Sequence, residues 1–134
     1  MPKILMPFLR SIAVLAFVCI GFVSGANAAE QTLATGTFVG KSGHKVSGTV
    51  TIVKTATGVE VRLGPDFKLD NAPGPYLGFG NRGKYVKVTQ FSKLLKRSGQ
   101  QTYFVPQKIK VGKFKEFYIW CKPAKLPLGV AVLN

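Results

Sequence analysis

The sequence is short of acid, sulfur and histidine. Its 134 residues include five Asp and Glu against nineteen Lys and Arg, two cysteines, two methionines and one histidine. Five scattered carboxylates give no paired arrangement for general acid–base work. There is no C-x-x-C-H for covalent haem attachment. Structural zinc normally takes four Cys or His ligands, which leaves too few donors here once the N-terminus is read.

That N-terminus has a basic start at Lys3 and Arg10, an apolar run from Ile12 to Val23, and the small-residue stretch Ser24-Gly25-Ala26-Asn27-Ala28. The pattern is that of a signal peptide over residues 1–28, cleaved between Ala28 and Ala29. An uninterrupted membrane span needs about 20 apolar residues, and this run is shorter. Phe17 and Val18 ahead of Cys19 are too large for a lipoprotein site. The expected product is periplasmic or secreted, with no stable membrane anchor after cleavage.

Cleavage removes Met1, Lys3, Met6, Arg10 and Cys19, so the net charge falls from +14 to +12 and 106 residues remain, 29–134. That length suits one domain with a modest core. A single thiol, Cys121, is left, so an internal disulfide is excluded and packing must carry the fold. No methionine survives as an axial haem ligand, and His44 is the one imidazole.

Apolar residues then recur at every second position, as in half-buried strands. Val59, Val61 and Leu63 alternate with Glu60 and Arg62, and Val86 and Val88 with Lys84, Lys87 and Thr89. Similar runs are Gly36 to Val39, Gly48 to Lys54, Tyr76 to Phe79, Thr102 to Val105, Glu116 to Cys121 and Gly129 to Leu133. Fifteen glycines and eight prolines punctuate them. An all-β fold is expected, an antiparallel β-sandwich or barrel of about eight short strands. One helical turn is expected, at Gln90 to Lys96, where Phe91, Leu94 and Leu95 share a face.

Two motifs imitate nucleotide sites. Gly78-Phe79-Gly80-Asn81-Arg82-Gly83 has the G-x-G-x-x-G spacing but leads into an alternating stretch, where a dinucleotide loop must open a helix. A glycine-rich hairpin accounts for it. Gly40-Lys41-Ser42 resembles the end of a Walker A loop, but Thr35 stands where the first glycine belongs. A serine triad built on His44 lacks the G-x-S-x-G elbow.

The excess of lysine would suggest nucleic acid in a cytoplasmic protein. For an exported one no nucleic acid partner is expected. Lys84, Lys87, Lys93, Lys96, Lys108, Lys110, Lys113 and Lys115 read as solvated faces that keep the chain soluble. A salt-sensitive affinity for anionic envelope material, lipid or acidic glycan, is the other reading.

In Phe117-Tyr118-Ile119-Trp120-Cys121, alternation puts Phe117, Ile119 and Cys121 on one face and Tyr118 and Trp120 on the other. Cys121 reads either as a small buried hydrophobe or as a reactive thiol, its thiolate favoured by Lys122 and Lys125 nearby. His44, between Gly43 and Lys45, reads as a solvated loop residue unless the fold brings it to the thiol.

The motifs Gly36-Thr37-Phe38, His44-Lys45-Val46-Ser47-Gly48, Leu63-Gly64-Pro65-Asp66-Phe67 and Gly74-Pro75 resemble the N-terminal half of the DM13 family, a DOMON-associated electron-transfer domain. Gly99 to Pro106, Tyr118-Ile119-Trp120-Cys121 and Leu128 to Leu133 resemble its C-terminal half. The resemblance covers essentially all of residues 29–134. It implies a β-rich extracytoplasmic domain whose signature cysteine, matched by Cys121, acts in redox chemistry. The expected site is Cys121, with His44, Trp120 and Tyr103 around it or around a haem or metal cofactor, and with a redox partner protein. The chain departs from the family at Tyr76, where an acidic residue usually follows the Gly-Pro. The contrasting expectation is a non-catalytic binding module that holds anionic glycan, lipid or a protein on its basic, aromatic-bearing surface.

Overall fold

Alternation alone leaves a strand one dry and one wet face, and a sheet of such strands must cover its dry face. This chain does so by curling one antiparallel sheet over itself. The computed structural model describes Gly21 and residues 29–134. The expected signal peptide, Gly21 apart, lies outside the described residues. Among the described residues no helix is long and apolar enough to cross a membrane.

Among the described residues eleven strands follow one another: β1 (Gln31–Gly40), β2 (Val46–Ser47), β3 (Thr49–Thr55), β4 (Gly58–Leu63), β5 (Lys68–Leu69), β6 (Pro75–Asn81), β7 (Lys84–Tyr85), β8 (Ser92–Lys93), β9 (Gln101–Val105), β10 (Glu116–Cys121) and β11 (Leu126–Val132). The main sheet runs β7-β6-β10-β11-β1-β3-β4-β9, with β8 also on β6, and β2 pairs β5 in a separate ribbon. The short strands β2, β5 and β8 lie outside the alternating runs.

Strand β1 turns the corner of the curl. Its first part pairs with β3, and Phe38 to Gly40 pair with β11. Thr35 and Asn134 exchange backbone hydrogen bonds at 3.0 and 2.9 Å. Gly36 permits this approach, since a Cβ there would stand 2.6 Å from the carbonyl oxygen of Val132. A register shift between Thr32 and Ala34 adds local twist.

Inside the curl lie Phe38, Val50, Ile52, Val61, Leu63, Phe67, Leu77, Phe79, Phe117, Ile119, Cys121 and Leu128. Each large side chain contributes about 1.5–3 kcal/mol by leaving water. Phe38 meets Phe67 and Phe117 edge-on, and Phe79 meets Phe117 likewise. The open side is latched by polar groups. Leu95 N–H donates to Tyr103 Oη at 2.9 Å, Lys96 N–H donates to Gln101 Oε1 at 3.1 Å, and Gln101 Nε2 donates to Lys96 O at 2.9 Å.

Two local expectations are corrected. The stretch Lys84 to Thr89 is a strand only at Lys84–Tyr85, after which Lys87–Thr89 forms a 3-10 turn. The Thr89 hydroxyl accepts from Phe79 N–H at 2.8 Å and donates to Val86 O at 2.6 Å, drawing the chain into that turn. Gln90 to Lys96 is not helical. Phe91 N–H and Leu94 N–H donate to Leu77 O and Pro75 O, so the free edge of β6 extends this segment and pairs it as β8.

The glycine-rich hairpin is found as read. Gly80 pairs with Tyr85 and Asn81 with Lys84. Arg82 and Gly83 form the two-residue loop, both with positive φ, 52° and 74°, the backbone that a tight hairpin of this twist requires. In the Walker-like stretch, the Ser42 hydroxyl donates to Pro127 O at 2.6 Å, which ties that loop to β11.

Candidate functional site

Strand β10 carries the two most chemically loaded neighbours, Trp120 and Cys121, and the pleat sends them to opposite faces. Cys121 closes the strand, opposite Pro75 on β6 and Leu126 on β11. Its side chain joins the core cluster and the residue is 1% exposed. The rim beside it is tight. Lys122 N–H donates to Gly74 O at 3.1 Å, and a Cβ on Gly74 would stand 2.5 Å from the Pro123 ring.

Trp120 faces outward and stacks on Tyr85, with ring centroids 4.3 Å apart and planes 12° apart. Tyr85 in turn meets Tyr118 edge-on at 5.4 Å. Gly78 is the floor of this stack, since a Cβ there would stand 2.6 Å from Tyr85 Oη. The Tyr85 hydroxyl donates to Gln90 Oε1 at 3.1 Å, and burial raises its pKa well above the ordinary phenol value. Burial, reinforced by the Glu116 carboxylate, pushes Tyr118 up to about 12. Tyr76 lies across from Trp120 and carries the Lys122 ammonium over its ring, 4.9 Å from the centroid. An aromatic ring with a cation above it thus stands directly after Gly74-Pro75.

His44 engages Asp70. Its Nδ1 lies 3.1 and 3.2 Å from the two carboxylate oxygens. Asp70 also accepts Lys45 N–H at 2.9 Å and Ala72 N–H at 3.1 Å. Those two N–H groups, with His44, hold the Asp70 carboxyl below its ordinary pKa. The β2–β5 ribbon brings the pair together, because Val46 opposite Leu69 sets residues 44–45 beside residue 70. Asp70-Asn71-Ala72-Pro73 reads locally as a turn in which Asp bonds the backbone two residues on. Nothing local signals His44, which is 26 residues away.

Tyr103 sits on the terminal strand β9. Its hydroxyl accepts from Leu95 N–H and donates to Gln101 Oε1. Burial is the larger influence on its pKa and raises it.

The four expected residues therefore occupy four different places. Cys121 is in the core, Trp120 is on the outer face of the same strand, His44 is on Asp70, and Tyr103 is in the latch. No hydrogen bond joins any two of them among the described residues. A metal or haem shared by Cys121 and His44 does not fit this arrangement. The obstacle is the thiol: a group ligated by Cys121 would have to displace the core side chains that enclose it, whereas His44, with Nδ1 on Asp70, keeps Nε2 free. Among the described residues, no cluster of three or more His, Cys, Asp or Glu could hold a metal ion.

A family model described as "Electron transfer DM13" matches residues 37–133. No curated protein and no solved structure matches the chain.

Proposed function

Since the chain belongs to the DM13 electron-transfer family, we propose that it is an exported redox module in which the Cys121 thiol is the reactive group. The observation that supports this reading is the position of Cys121, the residue that the resemblance matches to the family's cysteine. Cys121 is the free cysteine among the described residues, and it ends a strand one residue from a surface-facing aromatic stack.

Burial then shapes the chemistry. Thiol–disulfide exchange needs access to the sulfur, and at 1% exposure the closed fold withholds it. Exchange with a redox partner protein therefore requires local opening of the rim formed by Gly74, Pro75 and the 122–125 turn. Such local openings cost less than global unfolding. A reversible oxidised state would form only in the opened state, which protects the thiol from indiscriminate oxidation: attack of the thiolate on a partner's disulfide gives a mixed disulfide and releases a partner thiolate, and two-electron oxidation by a peroxide gives sulfenic acid and water. The Trp120–Tyr85 stack, on the outer face beside this rim, gives a partner an aromatic platform next to the opening.

The same burial favours a second reading, in which Cys121 is core filler and the domain is a non-catalytic binding module. Thiol titration of the purified protein across pH, beside Cys121→Ser and with a visible spectrum, separates the two. Slow reaction of one thiol in the folded protein, lost in the variant, supports the redox module. A colourless protein whose thiol reacts only after denaturation supports the binding module.

A further inference from the structure

Two 3-10 turns, Lys87–Thr89 and Val111–Lys113, meet at one corner of the fold. They are fixed from beneath. Phe79 stacks on Phe91 at 6.0 Å and packs against Phe114 at 5.8 Å. Ile109 and Thr89 are buried, and the Thr89 hydroxyl is tied to the β6 backbone. Above this floor Val88, Lys108, Lys110 and Lys113 line a shallow cleft of about 350 Å³. Lys87 stands exposed beside Val88.

Val88 is 82% exposed, more than any other large apolar residue among the exposed ones described. No acidic side chain lines the cleft. The carboxylates are committed elsewhere: Glu30 and Glu60 to Arg62, Asp66 to Thr49, Asp70 to His44, and Glu116 to Gly83 N–H and Tyr118. No lysine among the described residues forms a salt bridge.

We propose that this corner is a docking surface for an anionic phospholipid bilayer, with Val88 entering the headgroup boundary and Lys87, Lys108, Lys110 and Lys113 against the phosphates. Solubility accounts for the lysines and not for a valine exposed on the same cleft. An acidic polysaccharide likewise satisfies only the charges. A bilayer satisfies both, since interfacial binding combines buried apolar area with attraction of cations to anionic lipid. The inference is independent of the thiol chemistry.

The test is co-sedimentation of the purified protein with phosphatidylcholine vesicles, with and without phosphatidylglycerol. Binding is expected only with phosphatidylglycerol, falling as salt rises. Joint Lys108→Glu, Lys110→Glu and Lys113→Glu should weaken it at least about tenfold, three phosphate-facing charges being reversed. Val88→Asp should weaken it and Val88→Trp strengthen it, while Lys54→Glu with Lys68→Glu on other surfaces leaves it nearly unchanged. Circular dichroism checks that these surface variants fold. Equal losses from both sets of charge reversals, or binding indifferent to Val88, would overturn the proposal. So would capture by soluble alginate that is as tight as capture by vesicles.

Discussion

Trp120 lies flat on Tyr85, with centroids 4.3 Å apart, while the next residue, Cys121, turns into the core of the same strand. One strand end thus presents an aromatic surface outward and a shielded thiol inward. The stack should be worth about 0.5–1.5 kcal/mol beyond the area it buries. A double-mutant cycle on Trp120→Ala and Tyr85→Ala, read by denaturant unfolding, should return a coupling of that size. Gly78→Ala should disturb the stack by driving a Cβ into the Tyr85 ring, with both aromatic residues left in place, seen as altered Trp fluorescence and near-ultraviolet dichroism.

The Asp70 carboxylate, held by Lys45 N–H ahead of Ala72 N–H and His44, predicts an acid limb of stability. The Asp70 carboxyl is held below its ordinary value of 3.8. A depressed folded pKa contributes stability that is present above the unfolded value and is lost as pH falls through the folded one. Asp70→Asn should therefore melt at lower temperature than the parent at neutral pH. The gap should close as acidification protonates the parent carboxylate. A gap of constant size from neutral pH to below 3.8 would refute the assignment.

The latch across the open side predicts a cost for Tyr103→Phe. The change removes the acceptor of Leu95 N–H and a donor to Gln101 Oε1. Unfolding should show a loss of about 0.5–1.5 kcal/mol, the net contribution of a typical hydrogen bond, because Gln101 Oε1 keeps Lys96 N–H. Amide exchange at Leu95 should accelerate.

Much of this architecture is legible in the alternation of β3, β4, β9, β10 and β11, because each has one face on the core. The errors fall where side chains or sheet edges overrule local pattern. Val86 and Val88 alternate like a strand, yet the Thr89 hydroxyl captures the Phe79 backbone and closes a turn. Phe91, Leu94 and Leu95 space like a helix, yet the free edge of β6 pairs with this segment. The site divides similarly. Alternation puts Trp120 and Cys121 on opposite faces, as found. The stacking of Tyr85 depends on the bare backbone of Gly78 on a neighbouring strand, and the His44–Asp70 pair depends on the β2–β5 ribbon. Neither leaves a local pattern.

Cys121 also makes a packing prediction. Cys121→Ser places a hydroxyl in an apolar site without an evident partner, and should cost about 1–3 kcal/mol in stability. Cys121→Ala loses the sulfur without adding a polar group and should be the milder change. It is therefore the better background for functional comparison.

The central claim is that the thiol of the folded protein exchanges electrons reversibly. The most direct measurement is a redox titration of the native protein in graded glutathione buffers, quantifying the Cys121 thiol and following Trp120 fluorescence. The account predicts a reversible single transition of one thiol per chain, absent in Cys121→Ala, with the fold retained throughout. A thiol that stays reduced across the series and reacts only once the protein is unfolded would contradict it.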